Sequence, residues 1–422
     1  MNLIQNIFDF FLILSFVNLF VICDDIPSPS PRDSLASSLV NNKLYFFGGI
    51  GSELTNEVWY LDLSNSFNVS VPPWHKDKEL PVAIAFASSC VSPIDNSLVF
   101  LIGGNMSHAD NTSVPFYPTE VFIFDSKISH WRPPNIIDYN TSFTGRFYFR
   151  AIIDNDGKIF MFGGRNPYIN ISDTYIANGF LNNDMHMLDT TTMKWSTLSI
   201  SQNVPLPRFA YAAVLLPTAE IIYIGGHEDP QFSLVEIKMV RFFNTKSFTW
   251  SNKQTTGASI DSRGSHTAVL TQDGSIIIYG GMTINFTRVS PDLAVLNINT
   301  WEWSIPNIPQ KDVPPSLARH SAAIYENYMI VSFGRHVSEP QPSTNPFIYI
   351  LDIRNYTWVN VANINKLEST PIPTNLSSFK FTLIVVVASV ASIILIGSVI
   401  AGIFIYKKRQ ERRHSIATPG SK

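Results

Sequence analysis

The chain has 422 residues, 45% of them hydrophobic and 15% charged, with 30 Lys/Arg against 33 Asp/Glu and a formal net charge of -3. This balance speaks against a nucleic-acid partner, which would need a basic face, and two cysteines in the whole chain exclude a disulfide-dense scaffold. In chain order, the first element is an apolar stretch over residues 10–23, followed at once by Asp24-Asp25 and a Pro/Ser run. It reads as a secretory signal peptide over residues 1–23. No Lys or Arg precedes the stretch and Asp9 lies just before it, so an uncleaved anchor is the alternative. Cleavage removes Cys23 and leaves Cys90 alone in an apolar stretch, a small buried hydrophobe with no disulfide partner.

From there a motif recurs six times at a spacing of 50 to 60 residues. A short apolar run leads into Gly48-Gly49, Gly103-Gly104, Gly163-Gly164, Gly225-Gly226 and Gly280-Gly281, with Gly334-Arg335 as a decayed sixth copy. A second strand follows and ends in Asp or Asn, six residues before a tryptophan in five copies: Asp125 and Trp131, Asp189 and Trp195, Asn244 and Trp250, Asn297 and Trp303, Asp352 and Trp358. The first copy stretches that gap to twelve, from Asp62 to Trp74, as an insertion would. Asp and Asn close tight turns by bonding back to the backbone, and the tryptophan is then placed to pack between sheets. Upstream of each glycine pair lies another strand, introduced by Arg32, Arg146, Arg208, Arg263 and Arg319, with Pro81-Val82 in the second copy.

The order of arginine, apolar strand, strand ending in Gly-Gly, strand ending in Asp or Asn, and tryptophan resembles the kelch repeat over roughly residues 32 to 360. The resemblance implies an all-β, six-bladed β-propeller with one four-stranded blade per copy. Kelch propellers serve as adhesive surfaces, substrate adaptors and, in galactose oxidase and some sugar-processing enzymes, catalytic scaffolds. The residues agree with the fold: self-similar units of this length cannot bury their own apolar faces, strands such as Lys43–Phe47 are rich in aromatic and β-branched residues, and no helical pattern follows any glycine pair.

Beyond the propeller (24–360), residues 361–380 lack hydrophobic periodicity and read as a stalk. Residues 381–406 carry no charge and are followed by Lys407, Lys408, Arg409, Arg412 and Arg413, the pattern of one transmembrane helix with a basic cytoplasmic tail, 407–422. The expectation is a single-pass type I glycoprotein of the plasma membrane or endomembrane system, its propeller outside or lumenal. Eight sequons, at Asn68, Asn105, Asn111, Asn140, Asn170, Asn285, Asn355 and Asn375, then become glycosylation acceptors. Within the span, Gly397 with Ala401 and Ser398 with Gly402 have the spacing of a helix dimer, and Ser415 follows a basic run that resembles a kinase site.

Alternating strand direction puts short turns such as Asn41-Asn42, Asp156-Gly157 and Asp273-Gly274 on one face and long loops, 105–119, 133–145, 165–183 and 304–317, on the other. Recognition belongs with the long loops. Residues just after the glycine pairs share that face: His108 with Asp110, Arg165, His227 with Glu228 and Asp229, and Arg335 with His336. Arg165, Arg335, Arg208, Arg263 and Arg319, with His227 and His336, are the candidate binding residues, for a protein or glycan partner. No catalytic constellation, metal site or cofactor is expected. The alternative is a carbohydrate-active enzyme on the same scaffold, galactose oxidase-like or sugar-isomerising, but galactose oxidase implies a copper site with a Tyr–Cys cross-link, and Cys90 is the one thiol left to make it.

Overall fold

The computed structural model describes residues 27–110, 116, 119–166, 180–229, 231–337, 343–363, 403 and 405–408. The chain divides into two units, Met1–Asn365 and Lys366–Lys422. In the second, residues 403 and 405–408 are helical and exposed. The expected signal segment, nearly all of the expected span, Ser415, Asn111, Asn170 and Asn375 lie outside the described residues. Among the described residues no helix is long and apolar enough to cross a membrane.

The described residues of the first unit are almost entirely β, and their main strands form six successive sheets, one per copy of the motif, each built on four antiparallel strands in chain order. In the first, Ala36–Val40, Lys43–Phe47, Val58–Asp62 and Trp74–Lys76 pair side by side. The fifth sheet adds Thr256–Gly257, parallel to Glu302–Ser304. The first strands of the sheets, Ala36–Val40, Ser88–Val91, Ala151–Ile153, Ala212–Leu215, Thr267–Leu270 and Ser321–Tyr325, contact one another in that order, and the last contacts the first. The sheets therefore form a closed, propeller-like ring, and each is called a blade below.

The motif residues explain the blade. In all six, the side-chain oxygen of the Asp or Asn ending the third strand accepts from the N–H two residues on, from 2.8 Å at Asn297 to 3.1 Å at Asp352. That Asx turn starts the hairpin to the fourth strand. It also sets the register: each tryptophan faces the residue before the Asp or Asn, as in Leu188 and Trp195 or Leu351 and Trp358. All six tryptophans, Trp74, Trp131, Trp195, Trp250, Trp303 and Trp358, are buried in clusters that fill the joints between blades.

The glycine pairs make the joints. The second glycine donates to a carbonyl at the entry of the next blade: Gly49 to Ile84 at 2.8 Å, Gly104 to Arg146 at 2.7 Å, Gly164 to Arg208, Gly226 to Arg263 and Gly281 to Leu317 at 2.8 Å, and Gly334 to Arg32 at 3.0 Å. A Cβ on Gly48 would stand 2.2 Å from Ile84 O and one on Gly280 2.1 Å from Leu317 O, with φ at +62° and +64°. Close approach and a left-handed backbone together require glycine there. The sixth pair differs from the sequence reading by one residue: it is Phe333-Gly334, not Gly334-Arg335. Phe333 takes φ 60° at the first position and packs edge-on against Phe46 at 5.3 Å, beside Trp74.

That joint closes the ring, and the insertion in the first copy supports it. Trp74 keeps its register opposite Leu61 despite the longer gap, because the extra residues loop out and carry the short strand Phe67–Asn68. This strand pairs with Val361–Ala362, at the start of the stretch expected to be stalk. Val69 N–H adds a bond to Asn360 O at 2.9 Å. Phe67 and Ala362 then complete a cluster with Leu44, Trp59, Ile330 and Ile350, which spans the first and sixth blades.

Candidate functional site

Two or three residues before each innermost strand, one residue is in the left-handed region: Ser34, Phe86, Tyr148, Ala210, Ser265 and Arg319, with φ between 55° and 59°. Such a conformation costs a non-glycine residue about 1 kcal/mol or more. Hydrogen bonds running around the axis offset it: Phe86 N–H donates to Ser34 O, Ser34 to Arg319, Arg319 to Ser265, Ser265 to Ala210 and Ala210 to Tyr148, at 2.7 to 3.0 Å. This belt frames the mouth of the axial channel on the face that carries the loops after the glycine pairs.

The belt also corrects the arginine alignment. Arg32, Arg146, Arg208 and Arg263 stand two residues before it, in register with Ile84 and Leu317, whereas Arg319 stands in the belt itself. The two sets behave differently. Arg32, Arg146, Arg208 and Arg263 are buried. Arg32 reaches Gly48 O at 3.4 Å, Arg146 Gly163 O at 3.2 Å and Arg263 Gly280 O at 2.9 Å, so each holds its own blade's glycine pair. Arg32 is paired with Glu57 at 2.5 Å, Arg146 with Asp184, and Arg208 with Glu228 at 3.0 Å. Arg208 and Arg263 are therefore part of the blade joints.

Arg319 and Arg165, by contrast, rest on rings. The Arg165 guanidinium lies 5.1 Å from the centroid of Phe209 and 5.4 Å from that of Phe232. Arg319 lies 5.5 Å from Phe86, 5.7 Å from Tyr148 and 5.8 Å from Phe286. The Nε atom of each is buried without a hydrogen-bond partner, and neither pairs with a carboxylate among the described residues. Arg335 does, with the fully buried Asp33, at 2.9 Å. Burial raises the Tyr148 hydroxyl above its ordinary range, while Arg319, Arg165 and Arg335 oppose that shift and Asp33 adds to it. Of the candidate arginines, Arg319 thus lies against the Tyr148 ring, and Arg165 and Arg335 act on its hydroxyl electrostatically.

The remaining candidates have local roles. His227 is buried, its Nδ1 sits 3.1 Å from Phe232 O, and burial lowers its pKa. His336 is half-buried in the strand Arg335–His336, which pairs with Leu317–Ala318. His108 is exposed and stacks on Phe116 at 3.9 Å. Among the described residues no group of three His, Cys, Asp or Glu side chains is placed to hold a metal. Cys90 is buried, and burial pushes its thiol up. Of the described sequons, Asn68, Asn285 and Asn355 are exposed, while Asn105 and Asn140 are half-buried.

Sequence reasoning missed Phe86, Tyr148, Phe232 and Phe286. Tyr148 was accessible as the third residue of its copy counted from the arginine, whereas the second copy has no arginine from which to count Phe86. Aligning Arg319 with Arg32 hid that position in the sixth copy.

A family model described as the attractin/LZTR1 β-propeller matches residues 99–397, more than two-thirds of the chain, from within the second blade to beyond the last described strand. Kelch domain-containing protein 3 of Rattus norvegicus is 25% identical over 335 residues, covering 76% of this chain and 82% of the relative. The host cell factor homolog hcf-1 of Caenorhabditis elegans is 28% identical over 196 residues, covering 42% of this chain, which spans 23% of that protein's length. The solved structure of YjhT superposes with a TM-score of 0.59 at 16% identity, covering 80% of this chain and 99% of the other, and so supports the fold alone. The ring of blades, the kelch-type motif and the matched family agree: this chain belongs to the attractin/LZTR1 β-propeller family.

Proposed function

We propose that the chain is a six-bladed kelch-type propeller that binds a protein partner on its long-loop face, at the mouth framed by Arg165, Tyr148 and Arg319. The observation that carries this reading is the pair of arginines held on aromatic rings with no ion pair among the described residues. A rigid cation without a counter-charge is ready for an anionic group of a partner. Exposed Phe180, Ile284, Phe286 and Phe347 lie on the loops after the glycine pairs of three blades and supply apolar area around that mouth. Aromatic residues with arginine are the composition of interface centres. The test compares partners captured by proximity labelling with the wild-type chain and with Arg165→Ser/Arg319→Ser. The reading expects a partner set that the double variant loses while its unfolding temperature is kept; an unchanged set rejects it.

The apolar stretches 10–23 and 381–406 support a further part of the proposal: a type I membrane protein with the propeller outside or lumenal and a basic cytoplasmic tail. Protease protection and glycosidase digestion of the full chain in membranes check it. A protease-accessible propeller in sealed microsomes would contradict it.

A further inference from the structure

Behind the belt lies a cavity of about 60 Å³, lined by residues from all six blades. Arg150, Arg319, His266 and His320 contribute to the lining, and no Asp or Glu does. Arg150 is half-buried and makes no ion pair among the described residues, and desolvation at the cavity wall lowers its pKa. His266 is 1% exposed, and both its ring nitrogens are buried without a partner among the described residues. His320 bonds the Thr267 hydroxyl through Nε2 at 2.8 Å and leaves Nδ1 unpartnered. Burial holds the His266 pKa well below its usual value and that of His320 at about 3, so both rings are neutral at pH 7 and each carries one N–H. The nearby carboxylate of Asp33 is engaged by Arg335 and by the Ser34 hydroxyl.

A half-buried cation on a cavity wall with no counter-ion among the described residues is disfavoured, and a buried ring nitrogen without a partner adds to that cost. One ligand class satisfies both. We propose that the cavity is a small-anion site, in which a free oxyanion of the size of phosphate or acetate is held by the Arg150 guanidinium and the His266 ring N–H. Size decides for a free ion: the volume suits a few waters or one small oxyanion and excludes a peptide. The site goes beyond partner binding, which involves the outer mouth and the loops.

The test uses the full chain. Equilibrium dialysis against radiolabelled phosphate is expected to show one bound ion per chain. Calorimetric unfolding at matched ionic strength is expected to show a higher Tm in phosphate or acetate than in chloride, as for any ligand of the folded state. Arg150→Met, which removes the unpaired charge, is expected to raise Tm in chloride and to abolish the oxyanion increment. Arg132→Met, an exposed arginine on an outer strand, is expected to keep it. Absence of bound phosphate in the wild-type chain overturns the proposal, as does an increment that persists in Arg150→Met or disappears equally in Arg132→Met. The dialysis arm requires no variant to fold.

Discussion

Arg146 and Arg319 occupy neighbouring positions of the same repeat and do opposite work. Arg146 is buried between blades, paired with Asp184 and bonded to Gly163 O. Arg319, two residues further along its own copy, stands at the axis with aromatic rings as its neighbours. The residue type is the same, and its partners decide whether it holds the fold or waits for a ligand. Every joint arginine bonds a backbone carbonyl or a carboxylate, whereas Arg165 and Arg319 at the mouth rest on aromatic rings and form no ion pair among the described residues.

This comparison can be broken by substitution. Arg146→Met removes one of the two partners of the half-buried Asp184 in the joint between the second and third blades, leaving it His186 Nε2 at 2.7 Å, and is expected to cost about 2 kcal/mol. Urea unfolding measures it, and a loss no larger than that of a surface substitution would put Arg146 on the side of Arg319. A joint also contains Glu120, 5% exposed, which accepts from Gly145 N–H at 3.0 Å and whose pKa burial pushes up to about 7. A carboxyl with a raised folded-state pKa favours folding most below its unfolded value and loses that contribution as pH rises. Stability is therefore expected to fall between about pH 4.5 and pH 7, by at most about 3 kcal/mol. Glu120→Gln should flatten that segment of the pH profile, and an unchanged profile would remove Glu120 from the account.

A substitution at a glycine sharpens the joint further. Gly280→Ala places a Cβ 2.1 Å from Leu317 O at φ +64° and is expected to cost about 2 kcal/mol. At the mouth the expectation reverses. Arg319→Met loses only cation–π contacts, worth about 1 kcal/mol or less in unfolding free energy, yet it is expected to weaken partner capture about tenfold or more.

Much of the blade was legible in the sequence because its local chemistry is short-range. The six-residue interval from Asp or Asn to Trp encodes an Asx turn and a fixed cross-strand register, and both are present in every blade. The glycine pairs announced their need for room without saying what approached them, since the carbonyls they meet belong to the next copy, some 35 residues away or more. Phe333 concealed the sixth pair because a phenylalanine with positive φ has no sequence signal, and only the ring's closure explains it. The first-copy insertion was visible as twelve residues between Asp62 and Trp74, but its role depends on Val361–Ala362 at the other end of the propeller. The mouth was half legible: Arg165, Arg319 and Arg335 were marked from the sequence, while Tyr148, against which Arg319 lies, carried no distinguishing motif.

The most direct test of the division between joint and mouth is a paired measurement on one set of variants, Arg146→Met, Arg263→Met, Arg165→Met and Arg319→Met, each read for urea unfolding and for capture of the partner identified by proximity labelling. The account predicts that the first two lower stability and, at temperatures where they remain folded, still capture the partner, while the last two unfold like the wild type and capture it poorly. Equal capture by all four, or stability losses as large at Arg165 and Arg319 as at Arg146, would contradict it.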